Sequence, residues 1–307
     1  MSTTTTDKLS QPAKPENVFI PTAGGRKVKN NVATVLFTLS FFVALVPLVA
    51  LLYKVIVDGF PVILDLAWWT EDLRGVGNNE LAGGVLHAIY GSVVQVLMAS
   101  VIAIPLGVLA GIMLVEFSES KLAKPTTFMV DVLAGVPSIV AAIFIFGVWM
   151  TTFGMRKSGF AVALALVLLM LPLVIRSTEE MLKLVPDELR EASLALGVPR
   201  WKTIVFIVIP TALSGMISGI FLAVARVMGE TAPVLVLVGY SSRANYDAFD
   251  GNMASLPLLI YNERSNATDT GVARQWGAAL TLIILIAIAN ILATAAAKAL
   301  QPKTSSK

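Results

Sequence analysis

Two ionisable residues stand inside one of the most apolar stretches of this 307-residue chain. Residues Ala225–Gly239 read ARVMGETAPVLVLVG, which places Arg226 and Glu230 four residues apart, on one face of a helix. An arginine at the centre of a membrane span costs about 2.5–3.5 kcal/mol, so such residues face a bundle interior or a wet cavity. Arg226 offers a forked donor that suits an oxyanion. Glu230 would balance it when no anion is present, so that a substrate is not held too tightly. The competing reading is a purely structural ion pair between helices, and charge alone does not separate the two. Gly229 and Pro233 bracket Glu230 and predict a kink or an unwound turn, whose freed backbone groups must line a cavity.

A second stretch, Asp131–Phe144, reads DVLAGVPSIVAAIF. Gly135 and Pro137 predict another kink. Ser138 could replace a lost backbone hydrogen bond, face the path, or simply pack between helices. Asp131 is expected to snorkel or to pair.

Other chemistry is sparse. Cysteine is absent and histidine occurs once, which excludes a disulfide scaffold and Cys-based zinc or redox chemistry. The single His87 reads as structural. No G-x-x-x-x-G-K-[ST] stretch exists to cradle nucleotide phosphates, so ATP and Mg would have to be bound by another polypeptide. No catalytic constellation is visible, and the chain is expected to be no enzyme and to carry no cofactor.

The elements that must hold these residues are membrane spans. Residues of the AVILMFWYC set make up 56% and charged residues only 14%, against about 25% charged in a soluble domain. Lipid must be the main solvent. Six spans of suitable length are predicted, at roughly Val32–Val55, Leu86–Val115, Phe128–Met150, Phe160–Ile175, Ile204–Val238 and Trp276–Ala297. The fourth is short, and the fifth is too long for one simple span. Fifteen of the 23 Lys and Arg residues fall on one side of this arrangement, seven on the other, and Arg226 lies inside. The basic side is cytoplasmic by the positive-inside rule, which puts both termini inside. The organisation expected is a disordered cytoplasmic tail over 1–30, a transmembrane domain over 31–300 and a cytoplasmic tail over 301–307. Outer loops cover 56–84 and 239–275, and a cytoplasmic loop covers 176–210. Gly107–Gly111 and Gly215–Gly219 are G-x-x-x-G matches that permit close helix approach, weak signals when taken singly. Asn266-Ala267-Thr268 matches a glycosylation sequon, a pattern that chance often produces.

The cytoplasmic loop contains PDELREASLALGVPRWKTIVFIVIP from Pro186 to Pro210. Pro186 and Asp187 start a helix, because proline suits the edge and acids favour the positive end of the dipole. Gly197 ends it and Pro199 prevents its continuation. A second segment begins near Trp201, and span five begins in earnest at Pro210. A short helix and a bend joined to a membrane helix can transmit a push from a partner; an ordinary solvated connector is the plain alternative.

Glu191-Ala192-Ser193, then Gly197, then Ile209-Pro210 resemble the EAA signature of ABC importer permeases, with Ser193 where that family usually has Ala. The resemblance implies a type I importer permease fold, all α, with this helix docked in a groove of a separate ATPase. Three further stretches are similar to the A-type permease family (PstA) of the bacterial phosphate-specific (Pst) importers: GGVLHAIYGS at Gly83–Ser92, AGVPSIVAAIF at Ala134–Phe144 and ARVMGETAPVLVLVG at Ala225–Gly239. Ala142 departs from the glycine expected there. This resemblance implies a permease for inorganic phosphate in the bacterial inner membrane, working by alternating access. It implies as partners a second permease PstC, two copies of the ATPase PstB and the phosphate-binding protein PstS. It places Arg226 and Glu230 on the substrate path, with Thr231 and Ser138 as further candidates, and Glu191, Ala192, Ser193 and Gly197 at the ATPase contact. The alternatives are an importer for another oxyanion such as phosphonate or molybdate, and a passive channel or secondary transporter.

Overall fold

The computed structural model describes residues 24–299. Most of the expected N-terminal tail, and the tail over 301–307, lie outside the described residues. The chain divides into two units, one up to Leu52 and one from Tyr53.

Helix α1, Gly24–Ile63, runs through the boundary and has 40 residues, about 60 Å at 1.5 Å per residue. It begins before the predicted start at Val32, taking in Arg26, Lys27 and Lys29. Up to Leu52 nearly all of its apolar side chains are exposed, Val35, Phe37 and Phe41 among them. Lipid would solvate that surface.

The second unit is helical throughout its regular structure, with no strand among the described residues. After α1 come α2 (Leu66–Thr70), α3 (Leu86–Glu116), α4 (Ala123–Gly135) and α5 (Ser138–Ile145), which continues as a π-helical segment to Thr152. Then follow α6 (Gly159–Lys183), α7 (Asp187–Ala195) and α8 (Arg200–Thr203), which runs through a π-helical segment, Ile204–Val208, into α9 (Ile209–Met228). Last come α10 (Ala232–Leu237), α11 (Leu256–Glu263) and α12 (Asp269–Ala299). Five continuous helices are long and apolar enough to cross a membrane, and α4 with α5 makes a sixth crossing if the bent pair is counted as one.

Helix α6 is the centre of the bundle. Its alanines and Leu166, Met170 and Val174 are buried in the main core, packed by residues of α3, α9 and α10. Both G-x-x-x-G pairs close on it. A Cβ at Gly107 would meet Val174 at 2.6 Å and one at Gly111 would meet Thr178 at 2.7 Å, so α3 lies flush against α6. Gly215 and Gly219 of α9 face Met181 and Ser177 in the same way.

Three further predicted boundaries differ, each for a physical reason. Helix α6 does not stop at Ile175 but extends through the charged turn to Lys183. Arg176 Nη1 donates to Glu179 Oε2 at 2.7 Å, Lys183 Nζ donates to Glu179 Oε1 at 2.7 Å, and Arg176 also pairs with Asp131 of α4. Pairs at i,i+3 and i,i+4 carry the helix onward, and of the two outcomes expected for Asp131 it is the pairing that occurs. Helix α12 starts seven residues before Trp276, because Arg274 is buried and donates to the carbonyls of Gly77, at 3.1 Å, and Glu80. The segment 239–275, expected as an outer loop, holds α11, whose Leu256, Leu258 and Leu259 are buried.

Candidate substrate path and coupling elbow

Both kinks predicted from Gly and Pro exist, and both are complete breaks. Helix α4 ends at Gly135, Val136 and Pro137 are extended, and α5 restarts at Ser138 with a bend of 107°. The expected single span over Phe128–Met150 is therefore two segments. Proline lacks an N–H and disfavours helical backbone in the residue before it, so Pro137 holds Val136 extended and α4 closes at Gly135, two residues ahead. The long fifth segment breaks at the other predicted point. Helix α9 ends at Met228, with tight turns from Gly229 N to Arg226 O (3.3 Å) and Glu230 N to Val227 O (3.2 Å). Helix α10 starts at Ala232 with Pro233 in its first turn.

This break corrects one expectation. Arg226 and Glu230 do not share a helical face, because the helix has ended before Glu230. Among the described residues they form no ion pair, and Arg226 has no salt-bridge partner at all. They meet instead across a cavity of about 190 Å³, lined by Arg226, Glu230, Ser138, Pro137, Leu169 and Pro172 among others. Leu169 and Pro172 sit at mid-length of α6, so the cavity lies halfway along the bundle. Ser138 faces it, at the N-terminal end of α5, where the helix dipole and free N–H groups favour negative charge. Arg226 is exposed in the chain taken alone, and Glu230 is half-buried. An uncompensated guanidinium at this level requires water, an anion or another protein surface. Thr231 caps the start of α10 without a side-chain hydrogen bond and does not line the cavity.

Sequence reading missed Gln95. It lies on α3, 1% exposed, and its Nε2 has no partner among the described residues. With Ser92, Ser255 and Glu230 it lines a small void of about 10 Å³ on the other flank of the break. A neutral polar residue in an apolar helix gives no periodic or charge signal, which is why it escaped notice.

At one end of the bundle sits the elbow. Helix α7 spans Asp187–Ala195 as predicted, and Gly197 follows with φ +77°, a left-handed conformation that glycine adopts freely. Pro199 then opens α8 at Arg200, one residue before the expected Trp201. Glu191 and Ala192 are exposed, as are Leu189, Leu194, Leu196 and Trp201. Contiguous exposed apolar residues with a polar rim mark an interaction surface. Ser193 points the other way. It is buried, and its hydroxyl lies 2.8 Å from Thr203 Oγ1, so it ties α7 to α8 rather than offering a contact to a partner. The departure from Ala at this position is thereby accommodated by a bond.

The opposite end is tied by polar contacts between distant segments. Trp68 Nε1 donates to Thr281 Oγ1 at 2.9 Å, and Leu256 N donates to Ser92 Oγ at 2.8 Å. His87 is buried with its ring edge-on to Tyr240, consistent with a structural role. Burial pushes the Tyr240 phenol above its ordinary pKa. Asn266 of the sequon donates Nδ2 to Glu263 Oε2 at 3.2 Å within a local turn.

Five continuous helices long and apolar enough to cross a membrane, with a broken pair and a charged cavity at mid-bundle, describe a multi-pass membrane protein. Among solved structures, the MetNI methionine ABC transporter in inward-facing conformations is similar in fold, with a TM-score of 0.56 and 18% identity over 71% of this chain and 95% of that one. Residues 103–306 match the family described as binding-protein-dependent transport system inner membrane component. The phosphate transport system permease protein PstA of Mycobacterium leprae is 60% identical over 94% of this chain and 95% of its own. PstA of Pasteurella multocida is 36% identical over 87% and 94%. The chain belongs to this inner membrane component family and, within it, to the PstA permeases.

Proposed function

We propose that this chain is the permease subunit of an ATP-driven importer for inorganic phosphate, forming one half of the path. The observation that carries this reading is the unpaired Arg226, facing a mid-bundle cavity shared with Glu230, Ser138 and the N-terminal end of α5. Arg226 and the helix dipole attract an oxyanion, while Glu230 limits how tightly it is held. Half-helix ends around a site at the membrane midplane are a recurrent way to bind a charged substrate transiently. The names of the relatives, phosphate transport system permease, supply the substrate.

A second permease, PstC, would cover Arg226 and complete the path. The exposed side of α7, with Glu191 and Ala192, would dock in the ATPase PstB, two copies of which bind ATP and Mg and perform the hydrolysis. This chain is then no enzyme and holds no cofactor. PstS would deliver phosphate to the opposite end. Both termini, Lys121, Lys124 and the elbow then lie in the cytoplasm, in keeping with the bias in Lys and Arg. ATP-driven closure moves α7, and the path changes from outward to inward access.

The test is uptake of labelled phosphate by cells with and without this chain, with sulfate and molybdate as competitors. Phosphate uptake that requires the chain and resists both competitors is expected. Competition by molybdate at equal concentration would favour another oxyanion, and uptake independent of the chain would reject the reading.

A further inference from the structure

The elbow is fastened to the bundle at a point that none of the motifs contains. Arg190, on the inner side of α7, makes five hydrogen bonds. Its Nε and Nη2 donate to Glu116 Oε1 at 3.1 and 3.0 Å. Nη2 also donates to Leu182 O at 3.0 Å, and Nη1 donates to Val185 O at 2.7 Å and Asp187 Oδ1 at 3.0 Å. A guanidinium has five N–H groups, so every donor has an acceptor. Glu116 is the last residue of α3, and only 6% of its side chain is exposed. A second arginine reinforces the junction: Arg200 of α8 donates to Glu116 O, and its guanidinium lies over the Phe117 ring, 4.8 Å from the centroid.

We propose that Arg190 and Glu116 form a latch that fastens the coupling helix to α3, so that displacement of α7 drives α3 as well as α9. This rests on the function proposed above, in which α7 receives the stroke. Three considerations carry it. The fork of Arg190 holds the end of α3, the end of α6 and α7 in one geometry, which a lysine cannot do. Helix α3 is locked to α6 at Gly107 and Gly111. Its far half carries Ser92 and Gln95, which border the void beside Glu230, about 30 Å from Glu116 at 1.5 Å per residue. The latch therefore joins the elbow to a rod whose other end touches the break in the substrate path. Arg190 and Glu116 are positioning residues and touch no substrate.

The chain has no cysteine, so a pair of spin labels can be placed on it by combining Glu119→Cys with Glu188→Cys in the assembled complex. With the latch intact, one distance is expected, the same without nucleotide and with ATP bound. In Arg190→Lys and in Glu116→Gln the distance is expected to broaden or shift with ATP. The ATP hydrolysed per phosphate imported is expected to rise at least threefold in Arg190→Lys and less in Glu116→Gln, whereas a merely structural lesion lowers both rates together. A distance that shifts with ATP in the native chain overturns the latch, as do variants with native distance and native stoichiometry. If Arg190→Lys fails to assemble, Glu116→Gln decides on the same readouts. The distance measurement needs no phosphate transport, so failure of the latch and failure of the phosphate reading are told apart.

Discussion

At the residue scale, two arginines stand in contrasting settings. Arg190 is saturated with acceptors, while Arg226 has no salt-bridge partner among the described residues, and this contrast separates a fastening arginine from one left free for a mobile anion. Gly197 is a second single-residue device. A Cβ there would meet nothing, but its φ of +77° is costly for any L side chain, by about 1–2 kcal/mol. Gly197→Val is therefore expected to leave the membrane bundle intact and to loosen the end of α7. The measured result is a raised ratio of ATP hydrolysed to phosphate imported at unchanged complex yield; an unchanged ratio removes the hinge role. Arg226 was legible in the sequence because a lone charge in an apolar run is conspicuous. Arg190 was not singled out, because its partner Glu116 lies 74 residues away and nothing local reports that pairing.

At the element scale, the short polar helix was the most legible part. Pro186, Asp187, Gly197 and Pro199 set the ends of α7 by local backbone rules. The membrane helices were legible in position and less so in length. Ion pairs extended α6 and a buried Arg274 extended α12, and both depend on partners brought from elsewhere in the chain. The break after Gly229 was foreseen, yet its consequence for Arg226 and Glu230 required knowing that the helix ends, not merely bends. Close approach of α3 to α6 rests on Gly107 and Gly111. Gly111→Leu would drive a branched side chain into Thr178, already 2.7 Å from a bare Cβ. Overpacking of this kind typically costs about 1–3 kcal/mol. A lowered melting temperature of the purified complex in detergent is expected, and an unchanged one would mean that the two helices separate freely.

At the scale of the whole molecule, the chain leaves surfaces that the half-path proposed above would have to cover. Arg226 and the apolar residues of α7 are exposed in it alone, and each needs a partner or solvent suited to it. The sidedness assigned above is open to direct measurement. Single cysteines at Glu188 and Glu119 are expected to react with an impermeant maleimide only from the cytoplasmic side, and one at Arg243 only from outside; the reverse pattern would invert the topology. The most direct test of the substrate path is uptake of labelled phosphate by proteoliposomes holding the full complex, with native chain and with Arg226→Gln. A hydrogen bond to a charged group contributes about 1.5–3 kcal/mol, roughly tenfold to a hundredfold in rate where it acts in the rate-limiting step. The account predicts that uptake falls at least tenfold while the complex still assembles in native yield; uptake at the native rate would contradict it.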